Sequence, residues 1–186
     1  IGGGFGVKQE MLIEDIVAHL AISTRRPVQL ELTRAEEFYA SRTRHPQTLT
    51  YRTGVDTDGK LVAQELRLVG NTGPYGTHGY TVQTVSGLRG LTSYNCANKR
   101  FDCDVHYTNI PVPGAYRGYG APQALFALEA HMEDIALDLG MDSIEFRRLN
   151  WIRVGDEMNI APHLGEAGAT EEEFDEYPIV ASNGIE

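Results

Sequence analysis

The sequence predicts an α+β fold, on three observations. Residues 122–139 carry apolar side chains at helical spacing between Pro122 and Gly140. Residues 49–55 alternate in the manner of a strand and return through Asp58-Gly59 into a second strand, 61–69. A further amphipathic stretch occupies residues 10–24. At 186 residues the chain is long enough for one or two modest domains with a real core. Mixed helices and β-hairpins are the expected architecture.

Taken in order, Ile13, Ile16, Val17, Leu20 and Ala21 share one helical face, with Glu10, Glu14 and Asp15 near the N-terminal end, where the helix dipole favours acids. Arg25-Arg26-Pro27 ends this helix, because proline disfavours helix in the residue before it. Val28 to Leu32 alternates as a short strand, and Thr33 with Glu36 reads as a capping box for a helical turn. The hairpin follows. Residues 70–92, rich in Gly, Thr, Ser and Tyr and without a period, read as a long loop, and Phe101 to Tyr107 as another strand. After the 122–139 helix, Asp142 or Ser143 caps a short helix carrying Ile144 and Leu149.

Net charge is −10, but nine acids and no Lys or Arg follow Arg153, which leaves 17 acids against 16 bases before it. The acidity belongs to the tail, so residues 154–186 read as an acidic linker toward a second domain and residues 1–153 as the folded unit. That balance argues against nucleic acid as a partner. No apolar run reaches the length of a membrane span, and no signal-peptide pattern opens the chain. Cys96 and Cys103 fit neither zinc spacing nor a disulfide framework, consistent with reduced thiols and a cytoplasmic setting. His19, His45, His78, His106, His131 and His163 form no ligand-spaced pair; only His78, within Gly76-Thr77-His78-Gly79-Tyr80, stands out.

Two glycine-rich loops more than a hundred residues apart carry the chemistry. One is Gly2-Gly3-Gly4-Phe5-Gly6; the other runs Gly114-Ala115-Tyr116-Arg117-Gly118-Tyr119-Gly120-Ala121-Pro122-Gln123. Glycine lets the backbone turn its N–H groups toward an anion, and each loop leads into a helical pattern. Gly4, Phe5 and Gly6 with Ala115, Tyr116, Arg117 and Gly118 are therefore the candidate cofactor-binding residues. The first loop is not a P-loop, since no Gly-Lys-Ser/Thr follows, and no strand precedes it to support a dinucleotide fingerprint. Arg117 reads as a buried permanent cation, although a surface ion pair is an equal reading for that residue alone.

In sequence and order, the two loops resemble the molybdenum-cofactor-binding region of the xanthine dehydrogenase and aldehyde oxidase family. There they read Gly-Gly-X-Phe-Gly and Ala-(Phe/Tyr)-Arg-Gly-(Phe/Tyr)-Gly-X-Pro-Gln, and the likeness is collinear over roughly residues 1 to 155. The resemblance implies a molybdenum–pterin cofactor, either molybdopterin or its cytosine dinucleotide. It places the backbones of Phe5 and Arg117 near the metal. It also implies substrate contacts at Gln9, Val85 and Tyr119. Gln9 stands where purine-oxidising members have a glutamate, and Val85 where they have an arginine, with Arg89 four residues on. Tyr119 matches an aromatic that lies against the substrate ring, or else packs beneath the loop.

The reaction implied is oxidation of an aromatic heterocycle or aldehyde with water as oxygen source. The family's general-base glutamate lies in a Gly-X-Gly-Glu-type segment that these 186 residues lack, so no catalytic residue is assigned. The resemblance implies that this chain is part of a larger catalytic subunit and inactive alone. Its partners would be the remainder of that subunit, a small-molecule substrate, and iron–sulfur and flavin modules on other domains or subunits. No membrane partner is expected. The alternative is a non-catalytic molybdopterin-binding or assembly module.

Overall fold

Alternation puts Leu49, Tyr51, Thr53 and Val55 on one face, and in the computed structural model they lie in strand β1 (Gln47–Val55). The structure describes residues 3–164 and 177–184. β1 pairs antiparallel with β2 (Leu61–Asn71), Tyr51 opposite Leu66. Asp56 Oδ1 closes the hairpin by accepting the N–H groups of Asp58 and Lys60, both at 2.9 Å. β3 (Asn98–His106) joins β2 on its other side in parallel, with Phe101 level with Leu66.

Parallel neighbours need a crossover, and here the crossover is a helix, α3 (Gly79–Thr92). This corrects the reading of residues 70–92 as a loop. The segment lacks hydrophobic periodicity because it is buried on several sides by small residues, not one apolar stripe. A Cβ on Gly87 would sit 2.7 Å from Phe101 Cζ, and one on Gly90 3.3 Å from both Ala124 Cβ and Leu66 Cδ2. Glycine at these sites allows α3 to lie close on β3, β2 and the next helix. The strand expected over Val28–Leu32 also does not form: it pairs with no strand among the described residues. Alternation alone cannot hold a strand without a neighbour.

Of the other helices, α1 (Glu14–Thr24) is shorter than the expected 10–24, since residues 10–13 are not helical, and it ends at Arg25, which adopts a left-handed conformation before Pro27. α2 (Arg34–Ala40) starts with the complete capping box of Thr33 and Glu36. α4 (Ala121–Leu139) has Pro122 in its first turn and Gly140 as its left-handed cap. α5 (Ser143–Asn150) is capped by Asp142, whose carboxylate accepts from Ile144 and Glu145.

α3 and α4 cover the same face of the sheet. One core unites Leu61, Tyr94, Cys96, Leu128, Met132, Ala136 and Phe146; a second unites Leu66, Leu91 and Ile160. Buried Asn150 ties the hairpin turn to α5, accepting the Leu61 N–H at 3.0 Å and donating to the Gly59 carbonyl at 2.9 Å. Arg147 clamps α5 to α4 through Glu129 and Glu133, each at 2.8 Å. Beyond residue 153, the segments 155–158 and 178–180 are hydrogen-bonded to each other. The acidic run at 165–176 lies outside the described residues.

Candidate functional site

The two glycine-rich loops meet. Gly6 has φ +96°, and a Cβ there would lie 2.7 Å from the carbonyl carbon and oxygen of Ala115 and 2.9 Å from the Tyr116 nitrogen. The first loop thus rests directly on the backbone of the second, an approach open only to glycine in a left-handed conformation. Beyond it, Val7–Gln9 forms a 3-10 turn whose N–H groups at Val7 and Gln9 return to the carbonyls of Gly4 and Gly6.

Arg117 is exposed, not buried as the sequence reading had it. Its guanidinium carbon lies 5.3 Å from the centre of the Phe5 ring, so the second loop grips the first by a cation–π contact. No carboxylate pairs with it among the described residues. A second arginine supports the pair from behind. Arg44 stacks 4.7 Å over Tyr116 and donates to the Arg117 carbonyl at 2.7 Å. Gln123 ties this arginine's segment to α4, donating to the His45 carbonyl at 3.2 Å.

The second loop turns sharply: Gly118, Tyr119 and Gly120 all have positive φ. Its own hydrogen bonds run from Tyr119 N–H to the Tyr116 carbonyl, 2.7 Å, and from Ala121 N–H to the Gly118 carbonyl, 2.9 Å. Among the described residues, the N–H groups of Ala115, Tyr116, Arg117 and Gly118 donate to no oxygen. Successive N–H groups without an internal acceptor, near a guanidinium, are available as donors to an anion. Ser86 of α3 anchors the end of this loop by donating to the Gly120 carbonyl at 3.0 Å.

Of the residues expected at a substrate wall, Tyr119 is half-buried, and its hydroxyl contacts His78 Nδ1 at 2.6 Å and Thr81 Oγ1 at 2.7 Å. Val85, half-buried, lies one turn beyond Thr81 on α3 and so shares its helix face. Gln9 is exposed on the 3-10 turn. The residue after it, Glu10, reaches His78 Nε2 at 3.1 Å and pairs with Arg42 on its other oxygen. The structure therefore joins Phe5 and Gly6 with Ala115, Tyr116 and Arg117, and brings Tyr119 to the end of the first loop through His78. Gly4 and Gly118 flank this junction without touching the facing loop among the described residues.

Sequence reading missed Glu10, Arg42, Arg44 and His45 as parts of this region. The run Arg42-Thr43-Arg44-His45-Pro46 is a cationic cluster just before a strand, and that was its one available signal. His45 is buried, and burial together with nearby His78 holds its imidazole down to about 4. Its Nε2 meets the Thr77 carbonyl at 3.1 Å, while Nδ1 has no partner among the described residues. Both cysteines are free, and burial pushes the Cys103 thiol up to about 11.

Two facing glycine loops, a free N–H array and a stacked guanidinium on an α+β frame define a domain built to hold an anionic cofactor. The chain belongs to the molybdopterin cofactor-binding domain family, whose model matches residues 1–151. It is 39% identical over 169 residues to a probable hypoxanthine oxidase of Escherichia coli, covering 91% of this chain and 18% of that protein. It is 39% identical over 154 residues to the nicotinate dehydrogenase large molybdopterin subunit of Eubacterium barkeri, covering 83% of this chain and 36% of that one. The aldehyde oxidoreductase of Desulfovibrio gigas superposes with TM-score 0.72 at 34% identity, over 84% of this chain and 17% of that one. The chain thus spans well under half the length of these relatives. No helix among the described residues is long and apolar enough to cross a membrane.

Proposed function

We propose that this chain forms one side of the cofactor cradle of a molybdenum hydroxylase, which oxidises an aromatic heterocycle or aldehyde with water as oxygen source. The observation that carries the reading is the seat of Gly6 on the Ala115–Tyr116 backbone, which makes one site of two distant loops. Gly4, Phe5 and Gly6 would hold a molybdenum–pterin group from one side, and Ala115, Tyr116, Arg117 and Gly118 from the other. The fit is chemical: an anionic group meets free N–H donors and a guanidinium already oriented by the Phe5 ring. The backbones of Phe5 and Arg117 would lie nearest the metal. When bound, the group supplies two-electron redox chemistry and acidifies water at the metal.

The rest of the site is the work of this chain's own side chains. Tyr119 presents an aromatic face, Val85 an aliphatic surface and Gln9 a neutral amide, a wall suited to a flat, uncharged ring. The general base, the iron–sulfur and flavin modules and the remaining cofactor contacts would come from other segments or subunits. The acidic stretch after residue 153 would lead toward them. The pterin is either molybdopterin or its cytosine dinucleotide.

Molybdenum and pterin content of the assembled protein tests the reading. We expect stoichiometric metal in the assembly and at least a tenfold loss in Arg117→Ala with its circular dichroism unchanged. A correctly folded, cofactor-supplied assembly without molybdenum would overturn it.

A further inference from the structure

We propose that Glu10 and His78 are positioning residues that fix the Tyr119 side chain and lock the two loops into a single unit. This rests on the cofactor reading for its functional meaning, but its geometry stands independently. Three segments contribute one residue each: Glu10 from the end of the first loop, His78 from the turn before α3, and Tyr119 from the second loop. The contacts run Glu10 Oε1 to His78 Nε2 at 3.1 Å, then His78 Nδ1 to the Tyr119 hydroxyl at 2.6 Å. Thr81 Oγ1 completes the set at 2.7 Å from the same hydroxyl, and Arg42 balances the second oxygen of Glu10.

Glu10, as a carboxylate, only accepts, so it takes the hydrogen of His78 Nε2–H, while the other ring nitrogen, Nδ1, is engaged by the Tyr119 hydroxyl. The Tyr119 hydroxyl bridges His78 Nδ1 and Thr81 Oγ1, and Thr81 Oγ1 in turn reaches the His78 carbonyl at 3.3 Å. The tyrosine side chain cannot swing to another rotamer without breaking both contacts of its hydroxyl. Glu10, Arg42 and His78 are each only about one-fifth to one-quarter exposed, so water competes weakly for these contacts.

Backbone conformation points the same way. Among the described residues, four non-glycines have positive φ: Phe5, Arg25, His78 and Tyr119. Three of them lie in or beside the two loops. A left-handed histidine or tyrosine carries a conformational cost and persists only where surrounding contacts over-determine it. His78 precedes α3 without capping it by its side chain, which is committed to Tyr119 instead. The relay therefore holds two strained backbones and aligns the aromatic wall beside the cofactor loops.

The test is a double-mutant cycle of His78→Phe and Tyr119→Phe in the full-length assembled enzyme, with His78→Gln and Glu10→Gln alongside. Thermal unfolding, metal content, and KM and kcat are each measured. We expect each single change to lower kcat/KM about tenfold, mainly through KM, while molybdenum content holds. The double variant is expected to be no worse than either single, in unfolding midpoint as in kcat/KM. His78→Gln, which keeps a donor and an acceptor, should recover part of the loss. Additive unfolding effects, or an unchanged KM in all four variants, would overturn the proposal. Should the assembly hold no molybdenum, the cofactor reading fails, while the unfolding cycle still decides the relay.

Discussion

A single methyl group separates a working junction from a broken one at Gly6. Alanine there combines an unfavourable φ of +96° with a Cβ 2.7 Å from the Ala115 carbonyl. We expect Gly6→Ala to cost about 1–3 kcal/mol and to empty the assembled protein of molybdenum. Gly4→Ala is the packing control: its Cβ meets only Lys8 at 3.8 Å, so the unfolding midpoint should stay near wild type. Arg44 offers a second residue-level test, because it stacks on Tyr116 and bonds the Arg117 carbonyl with one planar group. Lysine cannot do both, and Arg44→Lys should lower stability by about 1–2 kcal/mol in denaturant titration. At this scale the loop residues were legible, since glycine and aromatic spacing lies on the surface of the sequence. The exposure of Arg117 was not, because it follows from which ring lies beneath the guanidinium.

At the level of elements, α3 shows where periodicity stops being informative. Gly79, Ser86 and Gly90 stand seven and four residues apart, with Gly87 beside them, a stripe of small side chains that signals close helix packing when no apolar stripe exists. Helix propensity alone reads them as a loop. The packing makes a sharp prediction: Gly87→Ala pushes a Cβ into the Phe101 ring and should destabilise by about 1–3 kcal/mol in thermal unfolding. Asn150→Ala should cost a similar amount, about 2–3 kcal/mol, by leaving the buried Leu61 N–H and Gly59 carbonyl without partners. By contrast α2, α4 and α5 were legible because their signals are local: a capping box at Thr33, Pro122 with Gly140, and Asp142. The parallel pairing of β2 with β3 was not, since strand order depends on contacts across the whole crossover.

For the molecule as a whole, His45 gives stability a pH dependence. Its folded pKa is lowered to about 4 from an ordinary value near 6.5, so the unfolded chain binds the extra proton between those limits. Stability is fully present above pH 6.5 and falls as pH drops toward 4, by up to about 3 kcal/mol from this group. Denaturant titrations at pH 7 and pH 4.5 measure it, and His45→Gln should flatten the slope.

The junction of Gly6 with Ala115 closes a span of more than a hundred residues. Whatever occupies both loops acts as a noncovalent staple across that span, and mass action makes its grip felt by every element in between. Protease resistance at the turn of the hairpin, which is tied to α5 and not to either loop, should therefore report whether the cradle is filled.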